Sequence, residues 1–197
     1  MNIFRLSDDP AEAARFHCDR HVVKMCTEAA QILSTAKRLA EGAPTDAPDR
    51  PGKPFLLLPG ERLHRPAGSL LWQIADKAVY AATHATGPLV RWVAASRANY
   101  AWQFAHYRAL LDEYQRRYGR THAASWPHDA LSPIPTSLPD AGPTPAPQVM
   151  PEQYRGDDPV AAYRRLYLGE KARFARWAHG PPPPTWFAEG ARHVPAV

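Results

Sequence analysis

Cysteine is almost absent from the chain: Cys18 and Cys26 are the two examples. They stand eight positions apart on a stretch that reads as one helix, so about 12 Å of rise separates them and they cannot pair with each other. No apolar run approaches the roughly 20 residues that a bilayer span needs. No apolar core behind a basic start marks a secretory signal. Together these absences point to a reduced, cytoplasmic setting with free thiols and to no membrane partner. Internal repeats are lacking too, which excludes solenoid and propeller architectures. Nor does either sign of charge dominate. Lys and Arg number 24 against 19 Asp and Glu, a net charge of +5 with a pI of about 9.4. That balance is compatible with a polyanionic partner without requiring one.

What the chain has in abundance is proline, 22 residues in all, crowded into 44–66, 127–151 and 181–184. The stretches between these clusters carry helical periodicity, so the clusters read as loops. Asp9-Pro10-Ala11-Glu12 supplies an N-cap, a proline at the first helical position and a carboxylate three residues past the cap, and starts a helix that runs to about Gly42. A second periodic run covers about 69–85. A third begins after Pro88, with Tyr100, Phe104, Tyr107, Leu111, Tyr114 and Tyr118 at spacings of three and four before Gly119 stops it. Asp158-Pro159 opens a fourth. Asn2–Leu6 and Phe55–Leu58 look strand-like, yet each is too short and isolated to build a sheet. The expectation is therefore an all-α fold: one compact helical bundle over 1–197, with proline-rich excursions at about 41–66 and 127–150.

The first helix carries the densest chemistry. Projected at 100° per residue, His17, Arg20, His21, Lys24, Glu28 and Gln31 fall within an arc of about 100°, while apolar side chains fill most of the remaining circumference. A helix so largely buried that shows one narrow polar strip reads as the wall of a cleft. One carboxylate among cations stays ionised, suited to act as a base or to stabilise positive charge, and the basic rim attracts phosphate. Two other readings compete. The strip is also compatible with an ordinary solvated face. His17 and His21, four apart, have the spacing of a metal-binding pair, although no third ligand is evident and no metal is expected.

Three segments, in order along the chain, resemble the pyrimidine-dimer DNA glycosylases, the family of phage endonuclease V. The first is Asp19-Arg20-His21 followed by Glu28, similar to the family's Asp-x-His with its catalytic Glu seven residues beyond the His. The second is Met150-Pro151-Glu152-Gln153-Tyr154-Arg155-Gly156-Asp157, and the third is Glu170-Lys171 with the closing Pro184-Thr185-Trp186-Phe187. The N-terminal segment is also similar to that of uncharacterised phage proteins, which places the expected protein in the host-cell cytoplasm.

This resemblance implies a monomeric, cofactor-independent enzyme that flips a nucleotide out of double-stranded DNA and attacks C1′ with its own α-amine. As a class, α-amino groups titrate near about 8 and so lie closer to the reactive, unprotonated state than lysines do. Carried over position by position, Glu28 matches the catalytic carboxylate and the N-terminal Met1 or Asn2 the nucleophile. His21 and Arg20 fall on DNA-contacting positions, with His17, Lys24, Gln31 and Lys171 completing the expected DNA surface. Trp186 and Phe187 fall on an aromatic pair near the DNA, although Trp186 serves equally well as a packing anchor. Two departures accompany the match. The family has a small Thr after its first methionine where this chain has Asn2, a side chain that ordinarily leaves Met1 in place. The family's arginines near its Glu are replaced by Thr27 and Gln31, with Lys24, Arg15 and Arg20 available as substitutes. A transferase that modifies a flipped pyrimidine and a non-catalytic DNA-binding protein are the alternative functions.

Overall fold

A computed structural model describes residues 1–192. It shows a mixed α and β domain, 47% helix and 9% strand, in place of the expected all-α bundle. The helices are α1 (Pro10–Phe16), α2 (Asp19–Glu41), α3 (Pro88–Ala94), α4 (Arg97–Tyr118), α5 (His128–Leu131), α6 (Pro159–Leu166) and α7 (Thr185–Ala191). Between α2 and α3 lie two antiparallel ribbons, β1 (Ala43–Ala47) with β2 (Arg50–Leu57), and β3 (Arg62–His64) with β4 (Gln73–Ala75). The buried apolar residues from Ile3 to Phe187 form one cluster, to which α2 contributes more members than any other element. Residues 193–197 of the expected domain lie outside the described residues.

Several helix ends sit where the sequence puts them. The Asp9 side chain accepts from the Glu12 amide, Asp158 accepts from the Val160 amide, and Gly119 closes α4 in the left-handed region at φ 67°. The single helix expected from Asp9 to Gly42 is instead two, broken at His17 and Cys18, both extended. The break has a cause far along the chain. Arg117, buried on α4, donates to the carbonyls of Arg15 and His17 at 3.1 and 2.9 Å. Those two carbonyls, which a continuous helix would bond internally, are satisfied by a guanidinium instead. Asp19 then starts α2 by accepting from Arg117 at 3.0 Å and from the Ala178 amide at 2.6 Å.

The proline-rich 41–66 stretch is not a loop but mostly strand. Two-stranded ribbons have only edge strands, where a proline's missing N–H can face solvent, so Pro44 and Pro54 do not prevent pairing. The helix expected over 69–85 is absent too. Leu70 and Leu71 are exposed at a turn, while Ile74 and Val79 are buried from a strand and an irregular segment. That segment lies along α2, whose side chains satisfy its backbone. Ser34 accepts from the Tyr80 amide, Thr35 bonds both the amide and the carbonyl of Thr83, and Arg38 donates to the carbonyls of Val79 and Tyr80.

Arg38 and Glu61 fasten this whole excursion to α2. Both side chains are fully buried, and they pair through two bonds of 2.6 and 2.7 Å. Burial alone would raise the Glu61 pKa, but hydrogen bonds from Arg38 and from the amides of Leu58 and Ala78 bring it below the usual value. Glu61→Gln leaves a buried guanidinium without its counter-charge and should cost about 3–5 kcal/mol in urea unfolding. A loss below about 1 kcal/mol, the size of an exposed pair, would show that the pair does not hold the excursion.

Candidate functional site

The first residues of the chain run into the body of the protein and end on α2. Glu28 is largely covered, its side chain 15% exposed, and each carboxylate oxygen has a partner. Lys24, one turn earlier on the helix, reaches Oε1 at 2.9 Å, and the backbone nitrogen of Asn2 donates to Oε2 at 2.7 Å. The Asn2 side chain organises the turn that brings this nitrogen in. Its Oδ1 accepts from the amides of Ile3 and Phe4 at 2.8 and 3.1 Å, and its Nδ2 donates to the Val149 carbonyl at 3.0 Å. Ile3 and Leu6 are fully buried and fix the segment in the core.

Phe4 adopts φ 44°, a conformation in which a bulky residue is strained. The ring it orients is clamped on several sides. It stacks on His21 at 4.5 Å and 15°, and meets Tyr167 and Tyr163 edge-on at 5.6 and 6.1 Å. Tyr167 comes from a π turn (Tyr167–Lys171) that continues α6, and its hydroxyl bonds His21 Nδ1 at 2.5 Å. The strained turn, the aromatic clamp and the Asn2 bonds together place the residue 2 nitrogen on a carboxylate.

The structure revises what the histidines do. His17 is completely buried and His21 is 4% exposed, so neither is placed to touch DNA. His17 lies in the break between α1 and α2 rather than on the α2 strip. Its Nδ1 is held by the Ala13 carbonyl at 2.7 Å, and its ring centroid is 5.4 Å from that of buried His106. His17 and His21 are therefore not a pair one turn apart on a common helix. Burial lowers all three pKa values: His17 to about 4, His21 to about 2 with His17, Lys24, Lys171 and Arg20 adding to the effect, and His106 well below its ordinary value.

The cations remain at the rim. Arg20 and Lys24 are exposed on α2, and Lys171 is half-buried on the π turn, 3.2 Å from Glu170. Arg20 lies over the Phe174 ring at 5.0 Å, and Arg173 approaches the same ring at 5.8 Å. Gln31 is half-buried one turn beyond Glu28. Arg15, by contrast, lines a separate depression with Phe16 and the Pro181–Pro184 run. The expected aromatic pair turns out to be packing. Phe187 is buried against Trp177 at 4.7 Å, while Trp186 meets Phe16, Tyr167 and the Arg164 guanidinium, which together anchor α7. Phe4, Tyr167, Val149 and Arg173 belong to the site and were not singled out from sequence.

No family model, curated protein or solved structure matches this chain. The likeness to pyrimidine-dimer glycosylases therefore stays at the level of its short motifs. Among the described residues no helix is long and apolar enough to cross a membrane.

The buried histidines dictate a pH response. Their folded pKa values lie below the ordinary 6.5, so the unfolded chain binds protons that the folded one excludes. Stability is then full above pH 6.5 and falls as the pH drops from 6.5 toward 4. The slope is about 1.4 kcal/mol per pH unit for each histidine that is protonated only on unfolding. Urea unfolding at pH 7 and pH 5 should show the lower free energy at pH 5, with a shallower dependence in His106→Leu. Equal stability at both values would mean that these rings are not held neutral.

Proposed function

We propose that the protein is a DNA glycosylase with AP-lyase chemistry, acting on damaged or modified pyrimidines in double-stranded DNA from the nitrogen of residue 2. The observation that carries this reading is the 2.7 Å contact between that nitrogen and Glu28. With Met1 attached the atom is an amide and no nucleophile. Removal of Met1 turns the same atom into a primary amine already seated on a carboxylate. Of the two N-terminal candidates, the reading selects Asn2 over Met1.

In the reaction the unprotonated amine attacks C1′ of the target nucleotide. The N-glycosidic bond breaks, its electron pair leaves with the base, and the base takes up a proton from water. Glu28 accepts one of the amine's protons and delivers it to the sugar ring oxygen, whose bond to C1′ opens to leave a protonated imine. Loss of a C2′ proton then expels the 3′ phosphate. While positive charge develops on the sugar, the Glu28 carboxylate stabilises it. Arg20, Lys24 and Lys171 face the phosphates at the rim, with Gln31 beside Glu28. His21, Tyr167 and Phe4 act from behind, as positioning residues for the N-terminal turn.

Glu28→Gln should retain duplex binding within a few fold while base release on a panel of pyrimidine lesions falls by about a hundredfold or more. A chain that keeps Met1 should be inactive, and enzymatic removal of Met1 from it, which leaves the Asn2 side chain in place, should raise the active fraction. Wild-type turnover in Glu28→Gln, or full activity in chains shown by mass to retain Met1, would refute the assignment.

A further inference from the structure

Of the eight buried side-chain nitrogen and oxygen atoms that lack a hydrogen-bond partner among the described residues, five belong to His17, Gln103 and His106. Buried polar groups are nearly always paired, so a concentration of unpaired ones points to an occupant that supplies the partners. All three side chains are fully buried, and they come from two elements. His17 enters from the break between α1 and α2, and its ring centroid lies 5.4 Å from that of His106, with the ring planes tilted by 40°. Gln103 stands three positions before His106 on the buried side of α4, the spacing of neighbours on one helix face.

These atoms are a mixture of donors and acceptors. The Ala13 carbonyl, which can only accept, lies 2.7 Å from His17 Nδ1, so that nitrogen carries the proton of the neutral ring. His17 Nε2 then presents a lone pair that needs a donor. Neutral His106 presents one N–H and one lone pair, and the Gln103 amide presents two N–H groups and an oxygen, all without a partner. A bound cation would satisfy the lone pairs and leave the N–H groups unpaired. It would also sit where Arg117 and Arg5 already act against positive charge on the two rings. An anion would satisfy the N–H groups and be repelled by the His17 lone pair. Water, with two donors and two acceptors, suits both kinds of group.

We propose that a buried water bridges His17 Nε2 to His106, with Gln103 as its further partner, and ties α4 to the N-terminal segment. The water donates to Nε2 and accepts from the His106 N–H. His17 passes the tie on, because the Phe4 ring meets it edge-on at 6.2 Å and the Ile3 carbonyl also faces it. Ile3 and Phe4 are the residues whose amides bond Asn2 Oδ1, so the water lies behind the turn that seats the residue 2 nitrogen on Glu28. The bridge supports that turn whatever reaction takes place on Glu28.

A high-resolution crystal structure of the full chain should show a density peak about 2.7–3.2 Å from both His17 Nε2 and a His106 nitrogen. The peak should carry no anomalous signal for a metal and should not be replaced in a bromide soak. In His106→Leu, which leaves His17 Nε2 without a donor, hydrogen exchange at the amides of Ile3 and Phe4 should quicken by about threefold to tenfold, the worth of one hydrogen bond. His106→Gln, which keeps a donor and an acceptor at that place, should exchange near the wild-type rate. No density between the rings, a direct bond from His106 to His17, a metal or bromide at the peak, or unchanged exchange in His106→Leu would each overturn the bridge. If His106→Leu does not fold, the wild-type density decides alone.

Discussion

The hydrogen bond from the Asn2 nitrogen to Glu28 is the contact around which the N-terminal half of the site is arranged. A largely covered carboxylate is unfavourable unless its oxygens find donors, and Glu28 finds one in Lys24 and the other in the backbone of residue 2. The contact survives because the residues after it are fixed. Ile3 and Leu6 bury their side chains completely, and Phe4, turned left-handed between them, delivers its ring to His21 and Tyr167. Strain at Phe4 and burial of three histidines are unfavourable features taken singly. The strain at Phe4 and the burial of His21, on which its ring stacks, become intelligible as part of holding one backbone nitrogen against one carboxylate.

That arrangement needs α2 to begin at a particular point and in a particular direction, and Arg117 supplies the condition. Its guanidinium joins α4 to the carbonyls of Arg15 and His17 and to Asp19, and is itself held by Glu113, buried one turn earlier on α4, at 2.7 Å. Asp19, which the resemblance marks as a motif residue, works here as the first residue of α2 and as the acceptor for the amides of Ala178 and His179. One junction thus orients the helix that carries Glu28 and ties to its start the C-terminal segment that follows Arg173 and Phe174.

Signals local to a few residues were legible in the sequence. Asp9-Pro10 and Asp158-Pro159 specify helix starts through their own side chains, and Gly119 specifies a stop through its own backbone freedom. Glu28 could be found because a carboxylate among cations on an otherwise buried helix is conspicuous. What could not be read is what distant residues decide. No proline or glycine marks the break at His17, since Arg117 imposes it from a hundred positions away. Prolines concealed the β1–β2 ribbon because their exclusion applies to central strands, not to edges. The helical strip gave a direction for His21 without revealing that Phe4 and Tyr167 would cover it. The resemblance set Phe187 near the DNA, whereas the fold packs its ring against Trp177.

The most direct measurement is the identity of the atom that carries the sugar after borohydride reduction on an abasic duplex. Peptide mapping by mass should place the adduct on the nitrogen of residue 2, in chains from which Met1 has been removed, and Glu28→Gln should reduce its yield. An adduct on Lys24 or another lysine, on Met1, or no adduct from chains that begin at Asn2 would contradict the account.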